Sequence, residues 1–159
     1  MMNMLLLVHL IAVCAWVGGG IYERFFVLKA VDHAKGTNYE ARMVQIMLKA
    51  VPYFKVVTAL LILSGLAMTL INAQGSFSWI VHWSWLSLKV YIMIALMVFG
   101  YAFINPPLNK VAAHIKLDID NDQIVTDETR AAVRRIGVLL DIAHLGVIVN
   151  LILGVTKFF

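Results

Sequence analysis

Apolar residues run almost unbroken for about twenty positions in four stretches of the chain. Met4–Tyr22 contains no charge, and its helical pattern continues towards Lys29; the other stretches extend from about Val51 to Asn72, Ser78 to Ile104 and Arg135 to Val155. As helices they are long enough to cross a hydrocarbon core of about 30 Å, which takes about 20 residues. Helix-breaking signals separate them. Asn72-Ala73-Gln74-Gly75 predicts a tight turn between the second and third spans, and Asn105-Pro106-Pro107 predicts the end of the third. Thr126 or Asp127 is placed to cap the approach to the fourth, with Asp127 and Glu128 in its first turn. The pattern therefore predicts an all-α fold, an integral membrane up-down four-helix bundle. It forms a single transmembrane domain over residues 1–159, with spans at about 4–29, 51–72, 78–104 and 135–155 and connections at 30–50 and 105–134.

Composition supports this. With 62% hydrophobic and 14% charged residues, a soluble domain of this length could not keep its apolar surface from water. No Gly/Ser-rich linker, low-complexity tract or clear repeat divides the chain, and the lone Cys14 excludes an internal disulfide. A signal peptide is not expected in the first stretch, because no basic residue precedes it and no small-residue cleavage site follows.

The basic residues set orientation. Lys29, Lys35, Arg42 and Lys49 mark the first connection, and Lys110, Lys116, Arg130 and Arg134 the last; the 72–78 turn has no Lys or Arg. The positive-inside rule then puts both long connections in the cytoplasm and both termini outside, with Lys157 a minor exception. The formal charge of +4 is thus a topology signal: the expected partner is the lipid bilayer, not nucleic acid. Asp118-Ile-Asp120-Asn-Asp122 opens like a calcium loop, but Gln123 and Thr129 stand where such a loop needs glycine and glutamate, so the segment reads as a solvated acidic loop.

Within the spans, helical spacing gathers the polar residues into stripes. His9, Trp16, Gly20 and Glu23 or Arg24 share one face; so do Lys55, Thr58, Gly65 and Thr69; His82, Trp85 and Lys89; and Arg134, Gly137, Asp141 and His144. Lys or Asp at a membrane helix centre costs roughly 2.5–3.5 kcal/mol on insertion scales, so a chain that keeps several there has a use for them. His9 and His82 fall at similar depth near the outer face on diagonal helices, which suits the two axial nitrogens of a b-type haem. Trp16 and Trp85 lie deeper, in position to flank a macrocycle. Lys89 and Asp141 count to the midplane, where pairing would offset their charges. His144, one turn from Asp141, is open to four roles: alternative axial ligand, proton relay, substrate contact or interhelical hydrogen bond. Glu23, Arg24 and Lys55 form a further charged cluster, placed to hold carboxylates or to snorkel. Met93 and Met97, one turn apart, raise copper as an alternative ion.

Short motifs along nearly the whole chain carry a resemblance. The run His9-Leu-Ile-Ala-Val-Cys-Ala-Trp16-Val-Gly-Gly resembles the first helix of the HemJ-type protoporphyrinogen oxidases and their CopD-like relatives, as does the Arg24-Phe-Phe-Val that follows. Trp85-Leu-Ser-Leu-Lys89 is similar to the Trp-x-x-x-Lys of that family's third helix, and Gly154-Val-Thr-Lys157-Phe-Phe to its terminus. The resemblance implies a b-haem protein of the bacterial inner membrane, with both termini periplasmic. It makes His9 and Lys89 the essential pair, with Arg24 placed for a porphyrin propionate. The implied activity is oxidation of protoporphyrinogen IX, with electrons leaving through the membrane. The fourth helix departs from the family: Arg135-Ile-Gly-Val-Leu-Leu-Asp141-Ile-Ala-His144 lacks its Asn-Glu-x-Pro signature.

The expected site is therefore His9, Lys89 and Asp141 as catalytic groups. His9, His82, His144, Trp16 and Arg24 would bind haem b, with His9 and His82 on the iron. The function is porphyrinogen oxidation or electron transfer, with a porphyrin or a quinone-type molecule as small-molecule partner. Copper handling or transport, and an anchor or assembly subunit, remain the alternatives. The small-residue surface suits a homodimer or a larger membrane complex.

Overall fold

The computed structural model describes residues 2–72, 82, 84–120 and 124–156, and every element within them is helical. The helices are α1 (Met2–His33), α2 (Glu40–Lys49), α3 (Val51–Asn72), α4 (Trp85–Asp120) and α5 (Asp127–Thr156). Ala50 alone separates α2 from α3, and Met2–His33, Glu40–Asn72, Trp85–Asp120 and Asp127–Thr156 are each long and apolar enough to cross a membrane. α1 packs along α3, and α4 along α5; a shorter seam between α1 and α5 joins the two pairs.

The spans are dressed for lipid. Leu63, Val138 and Leu145 expose 64%, 59% and 63% of their surface, and apolar burial along the α1–α3 seam is confined to Ala12, Val57 and Leu61. Tight packing lies instead at the end formed by the long connections. There α2 places Ala41, Val44 and Met47 on one face against Val31 of α1, Ile115 of α4 and Ile136 of α5. Beside this core Arg130 grips Glu40 with two parallel bonds, Nε to Oε1 and Nη2 to Oε2, both 2.7 Å. Arg130 Nη1 also reaches Asp127 at 2.9 Å, and the Gly36 backbone N–H donates to Glu40 Oε2 at 2.7 Å. Gly36 can do so because it sits at φ +76°, a turn conformation that suits glycine.

A bidentate pair on a buried carboxylate differs from a surface ion pair. Glu40→Gln is expected to lower the thermal midpoint by about 5 °C or more, whereas Glu128→Gln, which breaks the exposed Lys110–Glu128 pair, changes it by about 2 °C or less. Thermal unfolding of the two variants side by side checks this.

Three expectations are corrected. Asn105-Pro106-Pro107 does not end the third helix. A π turn at Gly100–Ile104, closed by the Asn105 N–H on the Gly100 carbonyl, widens the helix just ahead of the prolines, and α4 continues to Asp120. The wider turn accommodates the lost N–H donors and the ring clash that would otherwise break the helix. The start of that helix also shifts: it begins at Trp85 rather than near 78, capped by Ser84, whose hydroxyl accepts from the Ser87 N–H. Asp118, expected in a solvated loop, is instead buried in the last turns of α4. The cap of α5 follows the sequence reading, with Thr126 Oγ1 accepting from the Thr129 N–H. The turn expected at 72–75 falls, beyond Asn72, outside the described residues.

Candidate functional site

Polar side chains inside the spans form two groups at different depths. The first lies towards the ends of the bundle that carry Met2 and Thr156. His9 on α1 meets Ser64 on α3, with Nδ1 2.9 Å from the hydroxyl. A serine inside a helix turns its own proton onto a preceding carbonyl. Ser64 does so, donating to Leu60 O at 2.5 Å. The hydroxyl can then only accept from His9, so Nδ1 carries the imidazole proton and Nε2 is left with its lone pair. Gly65 makes room for the ring, since a Cβ there would stand 3.3 Å from His9 Cε1.

Lys89 on α4 completes this group. Its ammonium lies 5.9 Å from the Trp85 ring centroid, against Gly154 of α5. Among the described residues no carboxylate pairs with it. Asn150 Nδ2 donates to the Lys89 carbonyl at 3.3 Å, while its own Oδ1 is buried without a partner among the described residues.

The second group sits on the α1–α5 seam. The Trp16 indole N–H donates to Thr58 Oγ1 at 3.0 Å, and its ring lies against His144, with centroids 4.7 Å apart. His144 Nδ1 donates to Leu140 O at 2.6 Å, which fixes the same tautomer as in His9. Its Nε2 is buried, has no partner among the described residues, and rests on Gly20, where any side chain would overlap the imidazole. About one turn along, Arg24 Nε meets Asp141 Oδ1 at 2.9 Å. Trp16, Gly20, Arg24, Asp141 and His144 line a cavity of about 370 Å³ between α1 and α5.

Most of the expected residues are present in these groups, but their grouping differs. Asp141 pairs with Arg24, not Lys89. Because α4 begins at Trp85, Lys89 stands only one turn into the helix, beside Gly154. Gly154 is 154 − 141 = 13 residues from Asp141, about 20 Å along α5. His9 and Lys89 therefore share a level that Asp141 does not. His82 is exposed and precedes the Ser84 cap, so the helical stripe that joined it to Trp85 and Lys89 does not reach it.

The Glu23, Arg24 and Lys55 cluster also separates. Glu23 is buried in a π turn with Oε2 unpartnered among the described residues, Arg24 is taken by Asp141, and Lys55 is exposed. Met97 is half-exposed, and the described residues contain no group of three or more His, Cys, Asp or Glu placed for a metal ion. Ser64 went unread in the sequence, although a lone hydroxyl in the Leu60–Leu66 run was a signal for it.

No family model, curated protein or solved structure matches the chain.

An axial haem ligand needs an imidazole held at one nitrogen with the other lone pair bare. His9 is held at Nδ1 in that way, and the ammonium of Lys89, which no carboxylate pairs among the described residues, suits an anionic group. Of what a haem needs, this level supplies one imidazole held at Nδ1. His144 cannot serve the same iron: it packs at Gly20, 20 − 9 = 11 residues from His9, about 16 Å along α1.

Proposed function

We propose that this protein is a membrane b-type haem redox protein of the HemJ/CopD-like kind, with His9 on the iron and electron transfer as its task. The observation that carries this reading is the relay Leu60 O, Ser64 hydroxyl, His9 Nδ1–H, which holds the imidazole at one nitrogen and leaves Nε2 as the acceptor. When bound, haem would supply a one-electron couple. Ser64 orients the imidazole, Gly65 leaves space for it, and Lys89 would offer positive charge to a propionate carboxylate. Electron transfer is favoured over porphyrinogen oxidation because the fourth helix lacks the family's signature and Asp141 is engaged by Arg24. The Lys and Arg residues of the two long connections support an orientation with that end of the bundle in the bacterial cytoplasm and both termini periplasmic.

The test is the visible spectrum of protein made with ample haem, with iron counted per chain. A Soret band with sharp α and β bands on reduction is expected; a colourless, iron-free preparation contradicts the proposal. Ser64→Ala removes the group that orients His9 and is expected to weaken haem retention about 10- to 100-fold, read as the rate of haem transfer to an acceptor apoprotein.

A further inference from the structure

The groove between α1 and α5 carries charge at one end only. That end is the Arg24–Asp141 pair, on the side of the long connections, and the groove runs from it towards Trp16 and Ile148. Arg24 is 24 − 16 = 8 residues from Trp16, about 12 Å along α1. One leaflet, half of a hydrocarbon core of about 30 Å, is only slightly deeper. The walls between are apolar. Ile21, Phe25, Leu145 and Ile148 are each more than 40% exposed, so the groove faces the acyl chains of the bilayer.

The charge at the polar end is not balanced. Arg24 spends Nε on Asp141 Oδ1, and its two terminal nitrogens bond nothing else among the described residues. Lys29, further along α1, holds its ammonium 5.9 Å from the ring centroid of Phe25, a groove residue, and joins no ion pair among the described residues. Glu23 is buried and does not line the groove, so two cations stand against one carboxylate. The forked nitrogens of an arginine suit two oxygens of one phosphate. A basic pocket between membrane helices at the headgroup level is an arrangement that holds anionic lipid. A neutral lipid would leave the excess charge unmet, and a soluble anion would leave the apolar walls uncovered.

We propose that the α1–α5 groove seats one anionic phospholipid, its phosphate on the terminal nitrogens of Arg24 beside Lys29 and one acyl chain along Ile21, Leu145 and Ile148 towards Trp16. This goes beyond the haem reading and uses none of its residues, so either can fail without the other.

The full-length protein, purified in an uncharged detergent, is titrated with phosphatidylglycerol and with phosphatidylcholine of the same acyl chains, and bound lipid per chain is counted by native mass spectrometry. One phosphatidylglycerol is expected to bind at least tenfold more tightly than phosphatidylcholine. In Arg24→Gln the preference is expected to fall to within about twofold. Lys116→Gln, which removes an exposed cation away from the groove, is expected to keep it. Leu145→Trp, which fills the groove from the lipid side, is expected to weaken phosphatidylglycerol binding about tenfold. Equal binding of the two lipids to the unaltered protein overturns the proposal without reliance on any variant. So does a dimeric protein that retains neither lipid, because a second copy then covers the groove. A preference that survives in Arg24→Gln, or that Lys116→Gln loses equally, overturns it as well, and undiminished binding in Leu145→Trp contradicts the seat of the acyl chain.

Discussion

Ile136→Ala is expected to destabilise the protein by about 2–5 kcal/mol, the range for removing most of a buried aliphatic side chain. Ile136 is 0% exposed and stands where α1, α2, α4 and α5 meet, beside Met47 and Ile115, which are also almost fully enclosed. Its loss leaves a cavity whose walls belong to four helices, so none can move in without disturbing the others. Val138, two residues on, turns the opposite way and is 59% exposed. Val138→Ala exchanges one lipid-facing surface for another and is expected to change stability by less than about 0.5 kcal/mol. Unfolding in a denaturant series, with both variants in the same lipid environment, separates them. Equal destabilisation would mean that the connection end is not the packed core it is described to be here.

That core was the least legible part of the fold. The spans were readable because each is a long apolar run, and hydropathy reports the solvent a helix must tolerate. α2 was not, because ten residues with apolar positions at Ala41, Val44 and Met47 lie in a stretch otherwise read as a charged connection. The extension of α4 was hidden by Pro106 and Pro107, whose usual meaning is a stop; the π turn at Gly100–Ile104 removes that meaning, and nothing in the local sequence announces it.

The site was legible as a set of residues but not as pairs. Spacing identified His9, Trp16, Lys89, Asp141 and His144 as unusual, and all five make specific side-chain contacts. Their pairing depended on depth, and depth depended on where α4 starts. An error of about two turns there moved Lys89 from the end of the bundle to its middle and gave Asp141 the wrong partner. It also put His82 on a helix it precedes. The tautomers of His9 and His144 follow from hydroxyl and carbonyl partners that only the folded chain supplies.

The haem reading makes its strongest demand on His9. If Nε2 of this one residue holds the iron, removing the side chain removes the axial bond while leaving a space the size of an imidazole, walled by Ser64 and Gly65. His9→Gly is therefore expected to lose the Soret band and the reduced α and β bands almost completely, even when made with ample haem. His114→Gly, altered outside the spans, should keep them. Free imidazole added to His9→Gly can enter the vacated space and accept the same orientation from Ser64, so the bands are expected to return as it is titrated in. The most direct measurement is this difference spectrum of His9→Gly with and without imidazole. Loss followed by imidazole-dependent recovery is the predicted result, and a His9→Gly protein that retains the full spectrum without imidazole contradicts the account.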